Sequence, residues 1–255
     1  VLRTCYLFWV NKETALVIII VPALPNAGHS LVRHTIIGSF FFYICNMPLI
    51  YQHQINSVTK IGVWHITEEE NFFLKHGPLQ RSITHPHKRL QHLAGRYLLR
   101  ELFPEFPLSL IIIADTRKPF LEDDTFHFSI SHCSNYAAAI VSTQHRVGVD
   151  IEIPHLKIEK IQHKFLSEQE KILLNKTGGN NIKMLTMAWS IKEAMFKWYG
   201  SGQVDFIEDM NISAINKTDA GYEAECVFKK EKNILLRLEN IFLGGNNLSW
   251  VITDH

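Results

Sequence analysis

Leu90, Leu93, Ala94, Tyr97 and Leu98 recur at i, i+3, i+4, i+7 and i+8, which predicts a helix over 84–102 with one buried stripe. Thr84 is placed to cap it, Pro86 falls in its first turn, and Arg89, Arg96 and Arg100 lie off the stripe. From 126 the period changes from helical to alternating. In FHFSISHC (126–133), Phe126, Phe128 and Ile130 take one face of a strand and His127, Ser129 and Ser131 the other. YAAAIVST (136–143) and VGVDIEI (147–153) follow as two more strands. Upstream, IGVWH (61–65) predicts a short strand and ITEEENFFLKH the start of a helix with an acidic first turn. LSLIIIAD (108–115) is a continuous apolar run of strand length, ended by the polar turn DTRKP.

Further on, Ser167 and Glu170 form a capping-box signature for a helix over EQEKILL. A second long helix is expected over about 182–199, stopped by Gly200. YEAECVF, ILLRLENIF and LSWVIT then read as a strand meander. The whole is α+β, in two halves of similar make-up without a crisp internal repeat.

The first 46 residues break this pattern. The chain opens on Val1 and carries apolar runs at 15–24 and 35–51, each shorter than the roughly 20 residues that span a bilayer. Pro22, Pro25 and His34 interrupt the joined stretch. A membrane anchor, an extra folded element and an upstream extension outside the fold all fit. The last is preferred, because MPLIYQHQ from Met47 leads directly into folded-looking sequence. The working domain is therefore 47–255.

Composition adds only limits. Apolar content of 46%, charged content of 20% and a net charge of +1 suit a globular protein without a global field for nucleic acid or for a polybasic membrane contact. The four scattered cysteines suggest neither a zinc ribbon nor a disulfide framework, and a reducing, cytoplasmic setting is the default. The 14 histidines complete no recognisable zinc spacing.

Four short stretches can carry chemistry. In VGVDIEI, Asp150 and Glu152 share the face opposite Val149 and Ile151, roughly 6.5–7 Å apart at the backbone. Two carboxylates so placed either line a polar outer face or hold a hard cation. In WSIKEAMFK (189–197), Trp189, Glu193 and Lys197 form one i, i+4 row with Lys192 beside it. The plainer alternative is a surface Glu193–Lys197 pair worth about 0.3–0.5 kcal/mol, which leaves the bulky neighbours Met195, Phe196 and Trp198 unexplained. In DTRKP, Arg117 and Lys118 sit on a turn held by Pro119, as phosphate contacts or as solvated charges. Ser131 beside His132 invites a nucleophile–base pair, but no G-x-S-x-G elbow surrounds it and strand neighbours point to opposite faces.

Taken together, these stretches resemble the 4′-phosphopantetheinyl transferase superfamily, in particular its larger two-lobed members of the surfactin and aminoadipate types. The hallmarks stand here as Gly148-Val149-Asp150-Ile151-Glu152 and, some forty residues on, Trp189-Ser190-Ile191-Lys192-Glu193-Ala194-Met195-Phe196-Lys197. Ala94-Gly95-Arg96, Lys118-Pro119 and Ser129-Ile130-Ser131-His132 support them, with Ser129 standing where an asparagine is usual. The resemblance covers 85–253 well, 47–84 loosely and 1–46 not at all.

It implies two similar α/β lobes, about 47–145 and 146–255, joined as a pseudo-dimer within one monomer. It implies transfer of the phosphopantetheine arm of coenzyme A to a serine of an apo acyl or peptidyl carrier protein, with release of adenosine 3′,5′-bisphosphate. By the same analogy Asp150, Glu152 and Glu193 surround magnesium (manganese as an alternative), and Glu193 is the base for the serine. Lys197 and Lys192 offset phosphate charge. Arg96, Arg117, Lys118, Pro119, Ser131 and His132 hold coenzyme A, and Trp189 packs the helix.

Overall fold

Two short strands, β1 (Cys5–Leu7) and β2 (Ile18–Ile20), pair antiparallel within the unit Val1–Cys45. The computed structural model describes residues 5–7, 18–20, 48–77, 79, 82–178 and 181–254. The three readings of 1–46 thus lie almost wholly outside the described residues. Among these residues, no helix is long and apolar enough to cross a membrane.

The unit Asn46–His255 opens with β3 (Leu49–Asn56) and β4 (Thr59–His65), paired antiparallel; β3 was not evident from the sequence pattern. The short α1 (Glu70–Leu74) follows, then α2 (Pro86–Leu102). The N-cap of α2 is His85, not Thr84, and it makes no side-chain cap bond. Pro86 opens the helix because its missing N–H is an orphan there anyway. Arg89 reaches back to Glu70 at 2.8 Å and ties the two helices.

The apolar run at 108–115 is not one strand. Leu108–Leu110 form a 3₁₀ turn, and only β5 (Ile112–Ile113) is extended, paired with β6 (Pro119–Phe120). Arg117, at φ +68°, turns this small hairpin, and Leu110 is 56% exposed. With no further strand alongside among the described residues, the run lacks the two-sided burial that its composition suggested. β7 (His127–Cys133) and β8 (Tyr136–Ser142) complete a four-stranded antiparallel sheet in the order β3-β4-β8-β7.

The second sheet begins with β9 (Arg146–Glu152). After α3 (Lys157–Ile161) come α4 (Glu168–Thr177), with the predicted Ser167/Glu170 capping box formed, and α5 (Asn181–Tyr199). β10 (Met210–Lys217), β11 (Tyr222–Phe228), β12 (Ile234–Leu243) and β13 (Asn246–Thr253) then give the order β10-β11-β12-β13-β9. The last strand of the meander thus lies beside β9.

The fold is α+β, with two sheets packed face to face and a long helix on the outer face of each. Ile61, Val63, Ala138 and Ile140 of the first sheet meet Val149, Ile151, Leu248 and Trp250 of the second. α2 covers the first sheet through Leu93, Ala94 and Leu98, and α5 covers the second through Met187, Ile191 and Met195. In each half a glycine sets the distance of approach. A Cβ on Gly95 would lie 2.6 Å from Ile130 Cγ2 of β7, and one on Gly148 would lie 2.2 Å from the Ala194 carbonyl of α5. The second conflict is with helix backbone, which cannot step aside alone. Gly148→Ala should therefore cost at least about 1–3 kcal/mol of stability, read as a lowered melting temperature. A melting temperature unchanged from the wild type would show that α5 can lift off β9 freely.

Candidate active site

With α5 this close, the alternation of β9 puts Val147, Val149 and Ile151 in the inter-sheet core and Asp150 and Glu152 under the helix. Asp150 is 2% exposed. Its Oδ1 accepts from Lys197 Nζ at 2.6 Å and from Ser131 Oγ at 2.8 Å, and Lys197 also donates to Ser131 Oγ at 2.8 Å. Three elements, β7, β9 and α5, thus meet in one network. Ser129 belongs to the same seam: its hydroxyl oxygen accepts from the Val149 N–H at 3.1 Å, so the edges of the two sheets are tied by serine side chains.

The carboxylates feel their confinement. Burial pushes Glu193 up to about 7, with Asp150 and Glu152 adding to the rise and Lys197 opposing it. Glu152 is also raised, by burial and then by Asp150, with Cys133, Lys197 and Trp189 pulling the other way. A carboxyl group near 7 can exchange a proton at neutral pH.

Beside this network lie two cavities that share Arg117, Pro119 and Ile130. One, of about 200 Å³, is lined by Arg117, Lys118, Phe196 and Lys197. The other, of about 160 Å³, is lined by Arg96, Arg117, Pro119 and His132. Arg96 was expected off the buried stripe of α2, yet it is 8% exposed and lies 3.0 Å from His92 Nδ1, because that flank of the helix faces the β5–β6 hairpin across the cavity. Lys118 donates to the Trp198 carbonyl at 3.2 Å. Burial, then the Arg146 guanidinium, lowers it to about 8. Arg146 itself donates to the Trp198 carbonyl at 2.8 Å and to that of Tyr199, so two cations cap the C-terminal end of α5.

Not every expected residue joins the site. Lys192, expected to offset phosphate charge, is fully buried on the other side of α5. Its Nζ lies 2.7 Å from Glu170 Oε1 and donates to the carbonyls of Phe165 at 2.5 Å and Phe206 at 2.7 Å. Neighbours on a helix point about 100° apart, so Lys192 and Glu193 cannot serve one ligand. Ser131, expected among the coenzyme A contacts, is held in the Asp150–Lys197 network. Trp189 packs as expected, between the rings of Phe165 and Phe206. Glu170 carried a signal for capping only, and Arg146 carried none.

Asp150, Glu152 and Glu193 offer hard oxygen donors, and the buried Asp150 Oδ2 has no hydrogen-bond partner, an oxygen that suits a hard cation. Among the described residues no three His, Cys, Asp or Glu side chains already stand as a metal cage. The donor chemistry fits a divalent ion without a preset cage.

The comparisons with known proteins fall on this region. Residues 146–249, the part that carries the carboxylates and α5, match the family model of the 4′-phosphopantetheinyl transferase superfamily. Among individual relatives, the enterobactin synthase component D of Salmonella typhi is 31% identical over 156 residues, 59% of this chain and 65% of the relative. That of Salmonella austin is 31% identical over 138 residues, 51% and 55% of the two chains. The 4′-phosphopantetheinyl transferase gsp of Aneurinibacillus migulanus is 38% identical over 87 residues, 33% of this chain and 35% of the relative. The chain spans less than two thirds of the length of each of these relatives.

Proposed function

We propose that the chain transfers the phosphopantetheine arm of coenzyme A to a serine of an apo carrier protein, as a cytoplasmic monomer. The reading rests on one observation above all: Asp150, Glu152, Glu193 and Lys197 gather beside cavities lined by Arg96, Arg117, Lys118 and His132. Anionic oxygens for a cation thus stand next to cations for a polyanion. The match of residues 146–249 to the superfamily supports the same reading.

In this reading Arg117 and Lys118, with Arg96 and His132 in the neighbouring cavity, bind the phosphates and the base of coenzyme A. Lys197, held by Asp150 and Ser131, presents its charge to the first cavity. Asp150, Glu152 and Glu193 would hold magnesium or manganese, which when bound neutralises charge on the pyrophosphate. Glu193 takes the proton of the incoming serine as its oxygen bonds to the β-phosphorus, and the bond to the leaving adenosine 3′,5′-bisphosphate breaks. The relatives' names make the carrier of an enterobactin-type synthase the first partner to test, beside fatty-acid carriers.

The deciding experiment mixes the protein, coenzyme A, magnesium and several apo carriers and weighs the carriers by mass spectrometry. Addition of a phosphopantetheine mass is expected; no addition to any carrier overturns the reading. A second expected result concerns pH. Lys118 is a cation only below about pH 8, so coenzyme A binding measured without divalent ion should weaken as pH rises through 8. Lys118→Arg, which keeps its charge, should flatten that profile. An identical decline in both proteins would remove Lys118 from the binding site.

A further inference from the structure

Lys197 stands between two kinds of partner. Its Nζ lies 2.6 Å from Asp150 Oδ1 and 2.8 Å from Ser131 Oγ, on the side of the carboxylates. The same residue lines the cavity of about 200 Å³ together with Arg117 and Lys118, on the side expected to take coenzyme A. The two members of the ion pair differ in freedom. The Asp150 side chain is 3% exposed and is short, on a strand pressed under α5. That of Lys197 is 25% exposed and rides on a flexible four-carbon stem. Lys197 is therefore the member that can swing away without a shift of backbone.

Asp150 uses only one of its oxygens in this arrangement. Oδ1 accepts from Lys197 and from the Ser131 hydroxyl, while the buried Oδ2 has no hydrogen-bond partner. The ammonium thus faces any hard cation drawn to the other oxygen of the same carboxylate. Lys197 also opposes the burial-driven rise of Glu193 and of Glu152, so its field reaches all three candidate ligands. Like charges repel strongly where water is scarce, and a divalent ion feels the ammonium twice as much as a univalent one. Lys197 therefore offsets part of the negative charge that would attract such an ion.

We propose that Lys197 guards the cation site: its ammonium holds down the affinity of Asp150, Glu152 and Glu193 for a divalent ion until phosphate groups in the cavity draw it off. By taking Lys197 as a phosphate partner, coenzyme A then frees Asp150 for the cation. An order of binding follows, with coenzyme A engaging the cavity before the carboxylates hold their ion firmly. The inference rests on the reading of Asp150 as a cation ligand beside a coenzyme A cavity. It is opposed to a purely supporting role for Lys197, in which the ammonium orients Asp150 and its removal weakens cation binding.

The test is Mn²⁺ binding to the full chain without coenzyme A, read by electron paramagnetic resonance at about pH 8, above the value of about 7 to which burial pushes Glu193. Lys197→Met and Lys197→Gln, which remove the charge and keep much of the length, should each bind Mn²⁺ about tenfold or more tighter than wild type. Lys197→Arg, which keeps the charge, should stay within about threefold of it. Mn²⁺ binding equal to or weaker than wild type in the neutral variants, while Asp150→Asn abolishes it, overturns the guarding role alone. Undiminished Mn²⁺ binding in Asp150→Asn overturns the cation site and this inference with it. Should Lys197→Met unfold because Asp150 loses its counter-charge, Lys197→Gln, whose amide can still donate to Asp150 and Ser131, separates these outcomes.

Discussion

Glu193→Gln should leave coenzyme A bound and slow transfer to the carrier by about 10²–10⁴-fold, the usual contribution of a general base. The substitution keeps the size of the side chain and removes only its charge and its ability to take a proton. Glu193 suits that role because burial and two neighbouring carboxylates push it up to about 7. Below 7 it is mostly protonated and above 7 mostly ionised, so in the free protein the base form grows as pH rises. Coenzyme A contacts are expected from Arg117, Lys118 and Lys197, which the substitution leaves in place. Single-turnover transfer read by mass spectrometry, with calorimetry of coenzyme A binding, separates the two effects. A rate within threefold of wild type would remove Glu193 from the chemistry; a loss of coenzyme A binding equal to the loss of rate would make it a binding residue.

Lys192→Met should act on stability instead. The ammonium lies in a fully enclosed pair with Glu170, whose other bonds go to the Ser167 N–H and hydroxyl and the Ile212 N–H. Removing one partner leaves a buried carboxylate without its counter-charge, which costs about 3–5 kcal/mol. The carbonyls of Phe165 and Phe206 lose their donor as well, and their rings hold Trp189 on the face of α5 that leads to Glu193. Denaturant unfolding should show the loss. The double variant Lys192→Met with Glu170→Leu should regain part of it, because it removes both charges. A single variant as stable as wild type would mean that Glu170 finds another partner. Weakened coenzyme A binding in folded protein would restore Lys192 to the site.

Much of the fold was legible in local patterns. The alternation of 126–133 and 147–153 set which side chains of β7 and β9 face the core, because a strand has only two faces. The capping box of α4 was legible because both its partners lie within one turn. The run at 108–115 was not, since apolar composition does not reveal whether a neighbouring strand exists. β3 and β10 carry mixed polar and apolar residues and gave too weak a period to stand out.

For the site, the sequence by itself determined which residue types stand at which intervals: two carboxylates two apart on a strand, and a carboxylate and a lysine four apart on a helix. Only the tertiary structure decided which neighbours share a space. Glu193 and Lys192 are adjacent in the chain yet face different sides of the helix, because a rotation of about 100° per residue sends one to the carboxylates of β9 and the other into a closed pair with Glu170. The serines of β7 and the alignment of Asn240, Ser249 and Asp150 across β12, β13 and β9 are likewise settled by pairing between distant strands, a register that no local interval encodes.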